Sequence, residues 1–113
     1  MSRECIFCDI VAGRIPAAVV YEDPGHLAFR DIDPKAPQHA VLVPKRHIET
    51  LLDLEDEGEA GRLMLAISGA AKALGLREGG FRAVANYGPD GGQEVMHVHF
   101  HLLGGRRLGW PPG

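Results

Sequence analysis

The chain lacks most of the features that mark a membrane, secreted or nucleic-acid-binding protein. Nothing in its 113 residues approaches the run of roughly 20 apolar residues needed to cross a bilayer. The opening MSRECIFCDIVAG carries an acidic residue and no long apolar stretch, so no secretory signal is expected and the cytoplasm is the expected compartment. Twelve Lys and Arg against fifteen Asp and Glu leave a net charge of −3. With no long basic run, a broad grip on a nucleic-acid backbone is not expected and a small ligand is. There are only two cysteines, Cys5 and Cys8. Their CxxC spacing without an export signal points to metal or redox chemistry before a structural disulfide. No internal repeat, low-complexity block or linker divides the chain.

What is present describes one small globular domain, residues 1–113, because the length falls short of the roughly 150 residues typical of a domain. A mix of 45% hydrophobic and 24% charged residues is that of a folding chain. A domain this size buries about two thirds of its unfolded surface, so dimerisation is expected.

Periodicity and punctuation give an α+β arrangement: a five-stranded antiparallel sheet with one long and one short helix. Cys5 to Val11 reads as a short helix closed by Gly13. Ala18 to Tyr21 and Leu27 to Asp31 read as a hairpin. Ala40 to Val43 is a continuous apolar run stopped by Pro44, the pattern of a strand covered on both faces. The acidic stretch Asp53 to Glu59 precedes a stripe of Leu63, Met64, Ile67, Ala70, Ala71 and Leu74, with Gly75 as the stop, which predicts the long helix. Phe81 to Tyr87 and Val95 to Leu103 complete the sheet, joined by the glycine-rich segment 88–92.

The most informative stretch is His97-Val98-His99-Phe100-His101-Leu102-Leu103. Strict alternation on a strand puts three imidazoles on one face, about 6.6 to 7 Å apart, while Val98, Phe100 and Leu102 enter the core. A functionless exposed edge is one account. A three-histidine zinc site is a second, disfavoured because His97 and His101 would lie about 13 Å apart while ligands of one zinc lie about 3.3 to 3.5 Å apart. The third, which we favour, is nucleophilic catalysis at phosphorus, with the central imidazole attacking and its neighbours handling protons and charge.

This row matches His-φ-His-φ-His-φ-φ, with φ hydrophobic, and the chain resembles the histidine triad (HIT) superfamily, specifically its Hint, or histidine triad nucleotide-binding, branch. The resemblance extends over nearly the whole chain, through Ile6-Phe7, Ile15-Pro16-Ala17, the segments 27–32, 36–39 and 43–48, Asn86 and the ending from Leu103 to Gly113.

The resemblance implies a HIT-like fold, a homodimer, and cleavage of purine nucleoside 5′-phosphoramidates through a nucleotidyl-histidine intermediate on His99, with no cofactor for catalysis. A purine nucleoside monophosphate or phosphoramidate would be the ligand. His101 and His39 resemble donors to the phosphate oxygens; His39 could equally be an ordinary strand-end histidine. Asp31 resembles the ribose-binding carboxylate, although Asp31-Ile32-Asp33-Pro34 is also a turn sequence. Ile32, Phe7 and Phe29 would face the base, or belong to the core. Asn86, Gly92 and Gln93 resemble residues on the phosphate and ribose side. Glu94 departs from the family, which in its eukaryotic Hint members carries Ser there; it could be a general acid or favour a cationic leaving group. Trp110 belongs to a tail that in relatives reaches the partner subunit near the active site, or it packs on its own domain. Cys5 and Cys8 with His47 and His97 resemble a structural zinc site; two buried thiols or a reversible disulfide are the alternatives. A dinucleoside polyphosphate hydrolase, or a nucleotide-binding regulatory or scaffold protein with incidental turnover, remain rival functions.

Overall fold

The computed structural model describes residues 5–113. The elements run α1 (Ile6–Val11), β1 (Val19–Asp23), β2 (His26–Arg30), β3 (Gln38–Pro44), a 3₁₀ turn (Leu51–Asp53), α2 (Glu57–Ala73), β4 (Phe81–Val84), α3 (Gly88–Gly91) and β5 (Phe100–Gly104). The strands form one antiparallel sheet in the order β1-β2-β3-β5-β4, so the α+β fold and the five-stranded sheet are as expected. The helix inventory differs by α3, a single turn where the sequence suggested only a glycine-rich loop. Pro89 at its start supplies a helical φ and needs no hydrogen bond, and Gly92 at its end takes φ +76°.

Asp56 caps α2 by accepting the Glu59 N–H at 2.7 Å, and Glu57 and Glu59 occupy the first turn, where the helix dipole favours negative charge. Its buried residues are Leu63, Ala66, Ile67, Ala70 and Ala71. Met64, expected in the apolar stripe, is 63% exposed: Ala66 and Ile67 lie three and four positions beyond Leu63, and Met64 is rotated off that face.

β3 is the central element and is buried at every position from His39 to Pro44. Ala40 and Leu42 meet Ala66, Ile67 and Ala70 beneath α2, while Val41 and Val43 pack with Cys5 and Phe7 of the α1 region and with Leu27 and Phe29. Helices on both faces explain why its sequence does not alternate.

The last strand is shorter than the expected Val95 to Leu103. Its ladder with β3 ends at Leu42 opposite Phe100. Continuing that register would put Val98 opposite Pro44, which has no N–H to donate, and the Val98 N–H instead reaches the Ile48 carbonyl at 2.7 Å. Residues 97 to 99 therefore continue the facial alternation, Val98 in the α2 core and the histidines opposite, without belonging to the sheet. Phe81 to Tyr87 shortens likewise to Phe81–Val84.

Leu42 is fully buried at the junction of β2, β5 and α2. Leu42→Ala should cost about 2 to 5 kcal/mol, measured as a lower urea midpoint with an unchanged denaturant slope.

Candidate active site

Two clusters of histidine sit side by side on the α1 face of the sheet, and hydrogen-bond chemistry fixes the tautomers in both. A carbonyl can only accept, so the 2.8 Å contact between His99 Nδ1 and the His97 carbonyl places the hydrogen of His99 on Nδ1. The lone pair is left on Nε2 of a ring that lines a cavity of about 450 Å³. The Phe7 ring meets His99 edge-on, 5.0 Å between centroids.

His39 is oriented by a donor from the opposite direction. The Lys35 N–H donates to His39 Nδ1 at 3.0 Å, so neutral His39 carries its hydrogen on Nε2 and donates it to His101 Nδ1 at 2.9 Å. His101 is left with an N–H at Nε2, and its ring stands 5.2 Å from that of His99. Burial holds the pKa of both His39 and His101 below the ordinary imidazole value, against the opposing charge of Asp31. The neighbouring His99 and His39 push His101 further in the same direction.

Asp31 combines the two behaviours its sequence offered. One oxygen accepts the Asp33 N–H at 2.8 Å, closing the turn, and the other lies 3.4 Å from His39 Nε2. Asp31, Ile32, Asn86, Gly92, Glu94, Phe7 and Phe29 all line the cavity with His99 and His101. His39 stands behind His101 and does not line it. Gln93 and Trp110 are also absent from the lining. The Gln93 amide donates to the carbonyls of Glu49 and Val95 at 2.9 and 3.1 Å, bracing the loop. Trp110 is 81% exposed; the Arg82 guanidinium lies over its ring and donates to the Gly109 carbonyl.

Sequence reasoning gave no role to much of the apolar wall. Ile6 and Ile10 of α1 and the segment from Ile15 to Ala18 line the cavity. The signal was available: Ile6 and Ile10 are four residues apart and share one helix face, but such a stripe on a short helix reads first as core.

The second cluster is Cys5, Cys8, His47 and His97, whose potential ligand atoms lie within 4.8 Å of one another. Cys5 Sγ is 3.4 Å and Cys8 Sγ 3.6 Å from His97 Nδ1, and Cys8 Sγ is 3.1 Å from His47 Nδ1. Tetrahedral zinc, with bonds of about 2.3 Å to sulfur and 2.0 to 2.1 Å to nitrogen, puts such atoms about 3.5 Å apart. The wholly buried His97 donates from Nε2 to the Pro44 carbonyl at 2.8 Å, which turns the Nδ1 lone pair toward the sulfurs, the outer-shell arrangement of a ligating histidine. The donor set fits zinc, and no disulfide joins the two cysteines.

Comparison with known proteins gives a match to the HIT domain over residues 12–108. The chain is 50% identical over 115 residues to an uncharacterized HIT-like protein of Synechococcus elongatus, covering all of both chains. It is 45% identical over 123 residues to a 14 kDa zinc-binding protein of Brassica juncea, covering 97% of this chain and all of that one. Among solved structures, a HIT family hydrolase from Legionella pneumophila superposes with a TM-score of 0.91 at 49% identity, covering 97% of this chain and 100% of the other.

Because the folded-state pKa values of His39 and His101 lie below the unfolded value of about 6.5, the unfolded chain takes up protons first on acidification. Their contribution to stability is complete above about pH 6.5 and is lost as pH falls from there toward the folded values. Urea midpoints should fall between pH 7 and 5, less steeply in His101→Asn; an identical slope in that variant would remove His101 from this account.

Proposed function

The chain belongs to the HIT family, and from that premise we propose that it is a hydrolase of purine nucleoside 5′-phosphoramidates with His99 as the covalent nucleophile. The observation that carries the reading is the tautomer of His99: its Nδ1–H is held by the His97 carbonyl, and the remaining nitrogen belongs to a ring on the cavity wall. A neutral imidazole is nucleophilic without prior deprotonation, and its attack on phosphorus forms a P–N bond as the bond to the leaving amine breaks. The amine departs with a proton taken from an acid on the leaving-group side, which regains a proton from the water of the second step. Water then cleaves the nucleotidyl-histidine bond, releasing the nucleoside monophosphate and restoring the neutral ring.

The Nε2–H of His101, held in place by His39, is suited to donate to a phosphoryl oxygen as charge develops there. Asp31 offers carboxylate oxygens to the ribose hydroxyls, and Asn86 and Gly92 bound the same cavity. Ile6, Phe7, Ile10, Phe29 and Ile32 supply apolar surface for the base. Gln93 acts by bracing the loop that carries Gly92. Glu94 lines the cavity and is assigned to the leaving-group side, where it protonates the amine or favours a cationic one.

The same reading includes zinc on Cys5, Cys8, His47 and His97, which would serve as a structural cross-link; the Brassica relative's description as zinc-binding supports it. No step at phosphorus requires it. We further propose that residues 1–113 form one domain acting as a cytoplasmic homodimer. β4 lies at the sheet edge, and Phe81 and Trp110 are exposed, features that suit burial against a second copy. No helix among the described residues is long and apolar enough to cross a membrane.

With adenosine 5′-phosphoramidate as substrate, His99→Ala should lose AMP release by on the order of 10⁴-fold or more while still binding AMP in calorimetry. A folded wild-type protein that releases no AMP would sink the phosphoramidase reading and favour polyphosphate hydrolysis or a binding role. Glu94→Ala should slow release of an amine about 10²-fold or more and of a good alkoxide leaving group far less. Equal rates for both leaving groups in wild type and variant would remove Glu94 from the chemistry.

A further inference from the structure

His97 takes part in both clusters with different atoms. Its imidazole is fixed at both nitrogens, Nδ1 among the sulfurs and Nε2–H on the Pro44 carbonyl. Its main-chain carbonyl is the acceptor that sets the His99 tautomer. We propose that metal loading of the cysteine–histidine cluster and ligand binding in the cavity are linked through His97 and α1, so that occupancy of either site tightens the other.

The first connection is the backbone at residue 97. His97 lies beyond the end of the β3–β5 ladder, so that ladder does not hold its carbonyl, and its own N–H makes a local contact to the Val95 carbonyl at 2.9 Å. The peptide that carries it is held from its other side by the Val98 N–H on the Ile48 carbonyl at 2.7 Å, and the anchored His97 ring restrains it from the side of the cluster. A metal shared by Cys5, Cys8, His47 and His97 would lock that ring, and with it the acceptor for His99 Nδ1–H. A loosened ring releases the carbonyl and lets His99 exchange tautomers, moving the lone pair off Nε2.

The second connection is α1. A helix of six residues is too short to be stable alone, so its docking depends on what holds its ends. Cys5 is its N-cap and Cys8 lies in its body, both in the cluster. Between them Phe7 meets the His97 ring at 5.9 Å and the His99 ring at 5.0 Å, both edge-on. Ile6 and Ile10 of the same helix form part of the cavity wall. Two of the four residues that would hold the metal, Cys5 and Cys8, and three that would meet the base, Ile6, Phe7 and Ile10, are thus carried by one short helix and its cap.

The ligand end of this linkage rests on the nucleotide reading above; the metal end does not. Linkage is reciprocal. In the full-length wild-type chain, saturating AMP should raise zinc affinity in chelator competition, and zinc should raise AMP affinity in calorimetry, by one common factor of about fivefold or more. AMP affinity that is equal with and without zinc overturns the linkage and leaves the nucleotide reading standing. If neither form binds AMP, the nucleotide reading fails, and nitrogen-15 NMR of His99 decides the linkage by itself. A shift from the Nδ1–H tautomer to a mixture on zinc removal supports it, and an unchanged spectrum overturns it. The methyl signals of Leu42 and Leu102 report whether the zinc-free core is intact. Should it not be, the zinc-loaded and cadmium-loaded proteins are compared. Different His99 spectra support the linkage, since the larger ion displaces the His97 ring, and identical spectra overturn it.

Discussion

A neutral imidazole has one nitrogen that gives a hydrogen and one that receives it, and the arrangement of this cavity depends on that constraint. Two hydrogen-bond chains of opposite polarity run into it. One begins at the Lys35 N–H, passes through His39, and leaves His101 with an N–H. The other ends at the His97 carbonyl and leaves His99 with a lone pair. Both tautomers are dictated by backbone groups, an amide that can only donate and a carbonyl that can only accept. The result is a nucleophilic nitrogen and a donor on rings 5.2 Å apart, with burial favouring the neutral forms of His39 and His101.

The backbone that presents these rings is shaped by Pro44. By ending the β3–β5 ladder, it leaves residues 97 to 99 free of sheet register, and the carbonyl of 97 becomes available to a side chain instead of a neighbouring strand. Pro44 also offers its own carbonyl to His97 Nε2–H. One proline thus bounds the sheet and, through His97, orients a group in each of the two clusters.

The sequence pattern disclosed the sheet, the long helix and the facing of the histidine row because these rest on local periodicity and on a distinctive spacing. It also brought Cys5, Cys8, His47 and His97 together, though only through resemblance, since no spacing rule joins residues so far apart in the chain. The misplacements have physical causes. His97 to His99 alternates like a strand with the residues that follow, yet strand assignment needs a partner able to pair. Met64 is apolar but sits on the wrong side of α2. Gln93, for which the resemblance implies a place on the phosphate and ribose side, has its amide engaged by two carbonyls, an engagement that only the folded loop makes apparent. The aliphatic wall was hard to recognise because Ile6 and Ile10 look the same in a core as in a binding cavity.

The contact between Cys5 and His97 spans 92 positions of sequence. In polymer terms it closes a loop that takes in most of the chain, and the entropy of closing such a loop grows only with the logarithm of its length. An ion shared across it would therefore act on the unfolded ensemble much as a long-range cross-link does, removing expanded conformations that a short-range clip would leave untouched. Two cysteines at one end of the sequence and a histidine near the other can in this way compensate for the small core of a 113-residue chain, drawing the first helix back onto a sheet whose central strands lie far from it in sequence.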